Sequence, residues 1–434
     1  MRKVLLLAAA VLGIAAVLHQ GWDMFLRTPP RLMLQGSDDS FYYFWIRSAV
    51  IDGDFDFQNE LESAPTMERP ASERALAEPL TAAGRVRNKY PVGWAAASWP
   101  FFLAAHAIAV AVGLPADGWQ PIYFVAIWLG HLGYTLTGLW AAKRVLMRFM
   151  DAESAAIGVL AGWLCSSLLY YQTARISMPH GLAFSLMALL YERSLRCQDD
   201  PGSKSAWLQV GALAGLLVIT RPICAPYLLF PFFIAIRQLF HPAARLHAIR
   251  GLGLAAIAGA AFLALQLLAQ RQVYGAWTFD TYDGETFHFF RPRIMESLFS
   301  PQHGWLYWHP FLLIGLGGFF AGVARGRFPG AWLAALVLVV YINSSWWCWW
   351  WGSSFGNRSF EGATLFAMAG WGSVWAWSLR PQILRRAVIA ALALGVIANA
   401  LLLGLFLRGA ISRGDAVTYL DMWRALVRII GSLG

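Results

Sequence analysis

The chain has 434 residues, 58% hydrophobic and 13% charged, with a formal net charge of +10. Soluble domains run at about 45–50% apolar and about 25% charged, so this composition excludes a soluble enzyme, a secreted factor, a nucleic-acid binder and a disordered chain. At about 20 residues per crossing, the length allows roughly a dozen membrane helices with short connections.

Apolar runs long enough to cross a bilayer, or nearly so, lie at about 4–20, 92–113, 120–142, 155–171, 181–192, 206–220, 222–240, 251–270, 309–324, 329–345, 360–379 and 387–407. The first follows Met1-Arg2-Lys3 and ends in Leu18-His19-Gln20-Gly21. With no small-x-small cleavage site, it reads as a retained anchor. The run 92–113 carries Gly93 and Pro100 and follows Pro91, and it reads as a broken or re-entrant segment lining a protein cavity. The cysteines Cys165, Cys197, Cys224 and Cys348 form no CxxC pair and read as small core residues.

Basic residues near segment ends set the orientation. Arg2, Lys3, Lys143, Arg144, Arg148, Arg193, Arg196, Lys204, Arg237, Arg245, Arg250, Arg325, Arg327, Arg380, Arg385 and Arg386 mark the cytoplasmic ends, sixteen of the 34 Lys and Arg residues. The outer segments are then loop 21–91, loop 172–180, the turn at Arg221-Pro222, loop 271–308, loop 346–359 and the C-terminal tail 409–434. With 92–113 re-entrant, this gives eleven crossings, the N-terminus inside and the C-terminus outside. The fold class expected is an all-α polytopic membrane protein, a single integral domain over 1–434.

Loop 21–91 holds eleven of the 24 acidic residues, among them Asp23, Asp38, Asp39, Asp52, Asp54, Asp56, Glu60 and Glu68, against eight basic ones. A connection this long is functional by default. In Gly36-Ser37-Asp38-Asp39-Ser40-Phe41-Tyr42-Tyr43-Phe44-Trp45, Ser37 or Asp38 can cap a helix. Its aromatic face, recurring at 41, 44 and 45, suits an amphipathic helix lying on the outer leaflet, with Tyr and Trp at headgroup level. Asp38 and Asp39 would then sit at the membrane surface, either as solvated caps or as catalytic carboxylates. The loop ends in Asn88-Lys89-Tyr90-Pro91, where Lys89 is either a snorkelling lysine or a phosphate contact.

Asp38-Asp39, the aromatic helix and the Lys89-Tyr90-Pro91 entry together resemble the polytopic GT-C glycosyltransferases. That superfamily includes lipid A aminoarabinose transferases, protein O-mannosyltransferases and oligosaccharyltransferase catalytic subunits. Asp52-Gly53-Asp54-Phe55-Asp56-Phe57-Gln58-Asn59-Glu60, Phe299-Ser300-Pro301-Gln302-His303-Gly304 and Phe355-Gly356-Asn357-Arg358 resemble a bacterial branch of the same superfamily. The resemblance implies a GT-C-like bundle of about 11–12 transmembrane helices with interfacial helices in the first periplasmic loop. It also implies a bacterial inner-membrane enzyme that takes a sugar from a polyprenyl-phosphate donor. The acceptor would be a glycan, lipid or protein of the envelope on the periplasmic side. One carboxylate of Asp38/Asp39 would be the general base. The chain departs from the aminoarabinose transferases in having Ser40-Phe41-Tyr42 where they carry an arginine. Loop 172–180 also lacks the second acid that related enzymes carry.

Such a transfer needs a base near the acceptor oxygen, cations on the leaving phosphate and a groove for the prenyl tail. Lys89, Arg175, Arg221 and Arg358 fall at the outer face beside apolar runs, and with Tyr90 they are the candidate phosphate ligands. Arg221 and Arg358 also suit snorkelling side chains. His180 and His303 are candidate substrate contacts or satisfied interfacial histidines. Loop 271–308, with Asp280, Asp283, Glu285, His288, Arg291 and Arg293, suits an acceptor surface or a lid. The run Trp346-Trp347-Cys348-Trp349-Trp350-Trp351 suits a membrane belt, a platform on which Trp349 and Trp350 stack a sugar or prenyl chain, or both. No HxxE, HExxH or DxD pattern occurs, so no cofactor is assigned; a divalent metal stays open without a sequence signature. A lipid-linked sugar transporter or flippase is the main rival, but acids inside the apolar runs are nearly absent and no internal repeat stands out. A non-catalytic envelope-assembly subunit is the third reading.

Overall fold

The computed structural model describes residues 2–22, 34, 37–64, 69–282, 284–380 and 382–432. Gly36, Asp23, Glu68 and Asp283, named above, lie outside them. In chain order the helices are α1 (Arg2–Gly21), α2 (Ser37–Arg47), α3 (Gln58–Ser63), α4 (Arg69–Ala77), α5 (Gly93–Ala111), α6 (Pro121–Leu146), α7 (Ala152–Leu164), α8 (Leu168–Thr173), α9 (Pro179–Asp199) and α10 (Lys204–Thr220). A 3-10 turn, Pro222–Leu228, leads into α11 (Leu229–Phe240), α12 (Pro242–Tyr274), α13 (Ile294–Phe299), α14 (Trp305–Trp308), α15 (Leu312–Ala324), α16 (Gly330–Ser345), α17 (Thr364–Ser378), α18 (Gln382–Leu407) and α19 (Tyr419–Gly431). Six of these stretches are long and apolar enough to cross a membrane, and four shorter helices are also apolar. The chain is an all-helical, multi-pass membrane protein.

Lipid supplies no hydrophobic drive between helices, so close packing through small residues does that work. A Cβ on Gly370 would stand 1.6 Å from the Gly315 carbonyl oxygen, and one on Gly211 would stand 2.0 Å from that of Ala255. These contacts press α15 onto α17 and α10 onto α12. Helices α7, α9 and α17 are buried along most of their length and form the centre. At one end Glu192 of α9, nearly buried, is held by Arg144, Arg193 and Arg196 at 3.1–3.2 Å.

Two segments differ from the sequence expectation. The run 92–113 is not broken: α5 continues through Pro100, and the Tyr134 hydroxyl donates to the Ala97 carbonyl beside it at 3.0 Å. The break falls instead in 155–171, between α7 and α8. There Asn399 of α18 donates to the carbonyls of Leu164 (2.8 Å) and Ser166 (3.0 Å), so the interrupted backbone keeps its partners inside the bundle. The four cysteines are free, and Cys165, Cys197 and Cys224 are buried.

Helix α2 also departs from the interfacial placement. Phe41 to Ile46 are all buried, not at headgroup level. A helical stretch buried on every side belongs to the core, and 41–46 lies against α5 and loop 112–120. Tyr43 packs on Phe124 (5.1 Å) and Phe102 (5.9 Å). Trp45 donates to the Tyr90 carbonyl at 2.9 Å, and Asn88 to that of Phe41 at 3.0 Å. Helix α2 is thereby pinned to the end of its own loop.

Candidate active site

Asp38 lies in the first turn of α2, where the helix dipole favours an anion. Its Oδ1 accepts from the Tyr90 hydroxyl at 2.6 Å, and its Oδ2 pairs with Arg358 Nη2 at 2.8 Å. The side chain keeps 29% exposure. Burial pushes the carboxyl up, but Arg358, the Tyr90 hydroxyl and Lys89 outweigh it and hold Asp38 below the ordinary carboxylate value. Burial and the Asp38 charge push the Tyr90 phenol well above its usual value, so it stays a hydrogen-bond donor.

Asp39 is fully buried. Its Oδ2 pairs with Arg175 Nη2 at 3.0 Å and accepts from Ser177 Oγ at 3.0 Å. Both partners come from the turn between α8 and α9, so Asp39 ties α2 to the bundle centre.

A third group backs Arg358. Arg221 ends α10, nearly buried, and donates to the Arg358 carbonyl at 2.9 Å. It also meets His180 Nδ1, lies 3.9 Å from Glu361 Oε2, and stacks over Trp351 at 5.5 Å. His180 Nδ1 stands 3.6 Å from the same Glu361 oxygen, and Ser167 Oγ lies 3.4 Å from its other oxygen. His180 is therefore a buried brace for Arg221. Glu361 and Ser177 were not singled out from the sequence. A lone acid in the apolar run 360–379 is the signal that marks Glu361; nothing local marks Ser177.

Lys89 pairs with Glu285 of loop 271–308, which also accepts from Trp347 Nε1 at 3.1 Å. Thr281 donates to the Lys89 carbonyl at 2.8 Å. Further along, Phe287 bridges to Trp346, and Arg293 N donates to the Ser344 carbonyl at 2.7 Å. Loop 271–308 is thus stitched to both the Asp38 loop and the tryptophan run. Trp349 and Trp350, both half-buried, contact each other at 5.6 Å, and the Trp349 carbonyl accepts from Asn357 at 3.0 Å. Trp351 (φ 61°) and Gly352 (φ 68°) are consecutive left-handed residues that close this run back toward Arg358.

His303 is placed apart from the other site residues. It is fully buried, stacks on Trp308 at 5.3 Å and lies 3.3 Å from Ser354 Oγ. Burial pulls it down to about 4. It is a neutral support for the loop that carries Arg358.

Asp38, Asp39, Tyr90, Arg175, His180, Arg221 and Arg358 therefore converge on one end of the bundle from four separate stretches of sequence. Three arginines face Asp38, Asp39 and Glu361, and Lys89 pairs with Glu285. Among the described residues, no group of three or more His, Cys, Asp and Glu side chains is placed to hold a metal ion.

The fold around this site matches solved structures. ArnT from Cupriavidus metallidurans in the apo state aligns with a TM-score of 0.54 and 12% identity, over 95% of this chain and 77% of that one. The same protein bound to undecaprenyl phosphate aligns with a TM-score of 0.52 and 13% identity, over 93% and 76%. The fold is the GT-C fold. At such identity the likeness is one of architecture. No protein-family model matches the sequence, and no curated protein does.

Proposed function

We propose that this chain transfers a sugar from a polyprenyl-phosphate donor to an acceptor hydroxyl, at the periplasmic face of the bacterial inner membrane, with Asp38 as the general base. The observation that carries the reading is the Tyr90–Asp38–Arg358 triad. It joins an accessible carboxylate, kept ionised, to a cation suited to a phosphate. The GT-C architecture and the undecaprenyl phosphate held by ArnT support a donor of this class.

In this reading the acceptor O–H gives its proton to Asp38 as its oxygen bonds to the anomeric carbon. The bond from that carbon to the phosphate oxygen breaks, and the phosphate gains one negative charge. Asp38 loses its charge in the same step. Arg358, released from a neutralised carboxyl, is then free to bind the phosphate that has just become more anionic. Charge moves within the site without a net change, which low-dielectric surroundings favour. Arg221, Arg175, Lys89 and Tyr90 supply further donors to the phosphate. Trp349 and Trp350 offer stacking faces for the sugar or the prenyl chain. Asp39 positions Asp38 and does not touch the acceptor. The acceptor is an envelope glycan, lipid or protein.

The test combines mass spectrometry of lipid purified with the protein and assay of Asp38→Asn. The expected result is a polyprenyl phosphate or its sugar adduct in both forms, with transfer lost only in the variant. Full transfer by Asp38→Asn would remove the base assignment.

A further inference from the structure

Helix α19 takes no part in the site, yet it is strongly amphipathic. At roughly 100° per residue its side chains fall into three sectors. One holds Met422, Ala425, Leu426 and Ile429, which turn toward the protein, and Ala425 is buried. The next holds Leu420, Trp423, Val427 and Ile430, exposed at 54%, 61%, 48% and 61%. The third holds Arg424 and Arg428, one turn apart and exposed.

The acid on this helix is already committed. Asp421 Oδ2 accepts from the Thr418 backbone N–H at 3.0 Å and from its hydroxyl at 2.6 Å, closing a capping box. Among the described residues no ion pair involves Arg424 or Arg428. A groove of about 540 Å³ runs along Asp421, Trp423, Val427 and the two arginines. The helix is held from below, because Tyr419 stacks on Tyr307 at 4.4 Å and its hydroxyl donates to the Tyr307 carbonyl at 2.7 Å.

We propose that α19 is an interfacial helix that docks on an anionic bilayer surface. Trp423, Val427, Leu420 and Ile430 enter the acyl boundary, and Arg424 and Arg428 bind lipid phosphates. An apolar sector flanked directly by an arginine sector is the pattern of a helix lying in the headgroup plane. A second copy of the chain fits poorly, since a two-fold contact through this face would bring four arginines together. Docking reaches the rest of the fold through the segment before α19. Val417 N donates to the Pro301 carbonyl at 3.1 Å, and Ser354 N to the Arg413 carbonyl at 3.0 Å. The bilayer thereby seats the loop that carries Arg358. The inference does not depend on the transferase reading.

The test places a spin label on Val427→Cys in the full chain, with Cys348→Ala, in nanodiscs of phosphatidylcholine with or without phosphatidylglycerol. With phosphatidylglycerol the label should be open to oxygen and shielded from a water-soluble nickel chelate. Arg424→Glu with Arg428→Glu should lose that shielding, and Arg424→Lys with Arg428→Lys should keep it. Shielding unchanged by charge reversal, a label open to nickel in both lipids, or dipolar coupling between labels of two copies would each overturn the proposal.

Discussion

Asp38 and Asp39 occupy consecutive positions in the first turn of α2, so their side chains leave the helix about 100° apart. Asp38 points to the ends of two loops and keeps 29% exposure; Asp39 points into the bundle and keeps none. Each is paired with an arginine at about the same distance, 2.8 Å and 3.0 Å. Pairing therefore does not separate their roles, whereas access does. A base must reach a proton on a substrate, and only Asp38 has a route to one. A buried carboxylate with no route is a structural tie, and its removal leaves its arginine uncompensated.

The largest effect expected from this contrast is at Asp38. Asp38→Asn should lower the transfer rate by about 10²–10⁴-fold, since general-base catalysis contributes on that order, with a smaller drop in unfolding temperature than Asp39→Asn, because Asp38 keeps 29% exposure. Equal loss of rate and of fold would merge the two carboxylates into one structural role. Arg358→Ala comes next. It removes a phosphate ligand and frees Asp38 to bind protons more tightly. Rate should fall by about 10²-fold, in line with loss of one electrostatic donor, and Arg358→Lys should recover part of it.

Asp39→Asn should do the reverse. It leaves Arg175 buried without its carboxylate, at a cost of about 3–5 kcal/mol. The unfolding temperature should drop in detergent, while the rate per folded molecule should fall less than in Asp38→Asn. A normal unfolding temperature with abolished transfer would exchange the two assignments.

The two carboxylates were legible as a pair in the sequence, but not as different. Apolar runs gave the helices because membrane crossing imposes length and hydrophobicity on every segment. The break was misplaced because Pro100 is conspicuous, while the interruption at Cys165–Ser167 depends on Asn399, which lies more than 230 residues on. Helix α2 was given an interfacial place because the aromatic positions 41, 44 and 45 were read as one face. The residues between them, Tyr42 and Tyr43, are buried as well, against α5 and Tyr90. In the site, Arg358 stands 320 residues from Asp38, and only folding brings them together. Of the two readings of His303, substrate contact or satisfied histidine, its burial and its stacking on Trp308 favour the second.

Tyr90→Phe sharpens the account of why Asp38 is ionised. It removes one hydrogen bond to the carboxylate, a loss of about 1.5–3 kcal/mol. Asp38, held below the ordinary carboxylate value in the parent, should rise. Because the base must be ionised to accept a proton, the acid limb of the pH–rate profile should move to higher pH. An unmoved limb would assign that limb to another group.

The smallest effect concerns a third carboxylate of the same loop. Arg47, at the end of α2, lies 2.7 Å from Asp52 and 2.9 Å from Glu60, so one cation faces two acids. Asp52 keeps 20% side-chain exposure and Glu60 keeps none. Burial, the contact with Asp52 and its charge outweigh Arg47 and push Glu60 up to about 8. In the unfolded chain a glutamate titrates near about 4.3. Between those values the folded protein holds a proton that the unfolded chain has released. The stabilisation is therefore fully present below the unfolded value and is lost as pH rises toward about 8. Thermal unfolding of the parent should fall across that window, and Glu60→Gln, which cannot ionise, should flatten the fall. Asp38 gives the opposite slope, since its carboxyl is depressed and its contribution is lost as pH falls. A parent whose unfolding temperature rises from pH 5 to pH 8 would show that Arg47 neutralises Glu60 rather than Asp52, and that burial does not decide which acid of this pair keeps its proton.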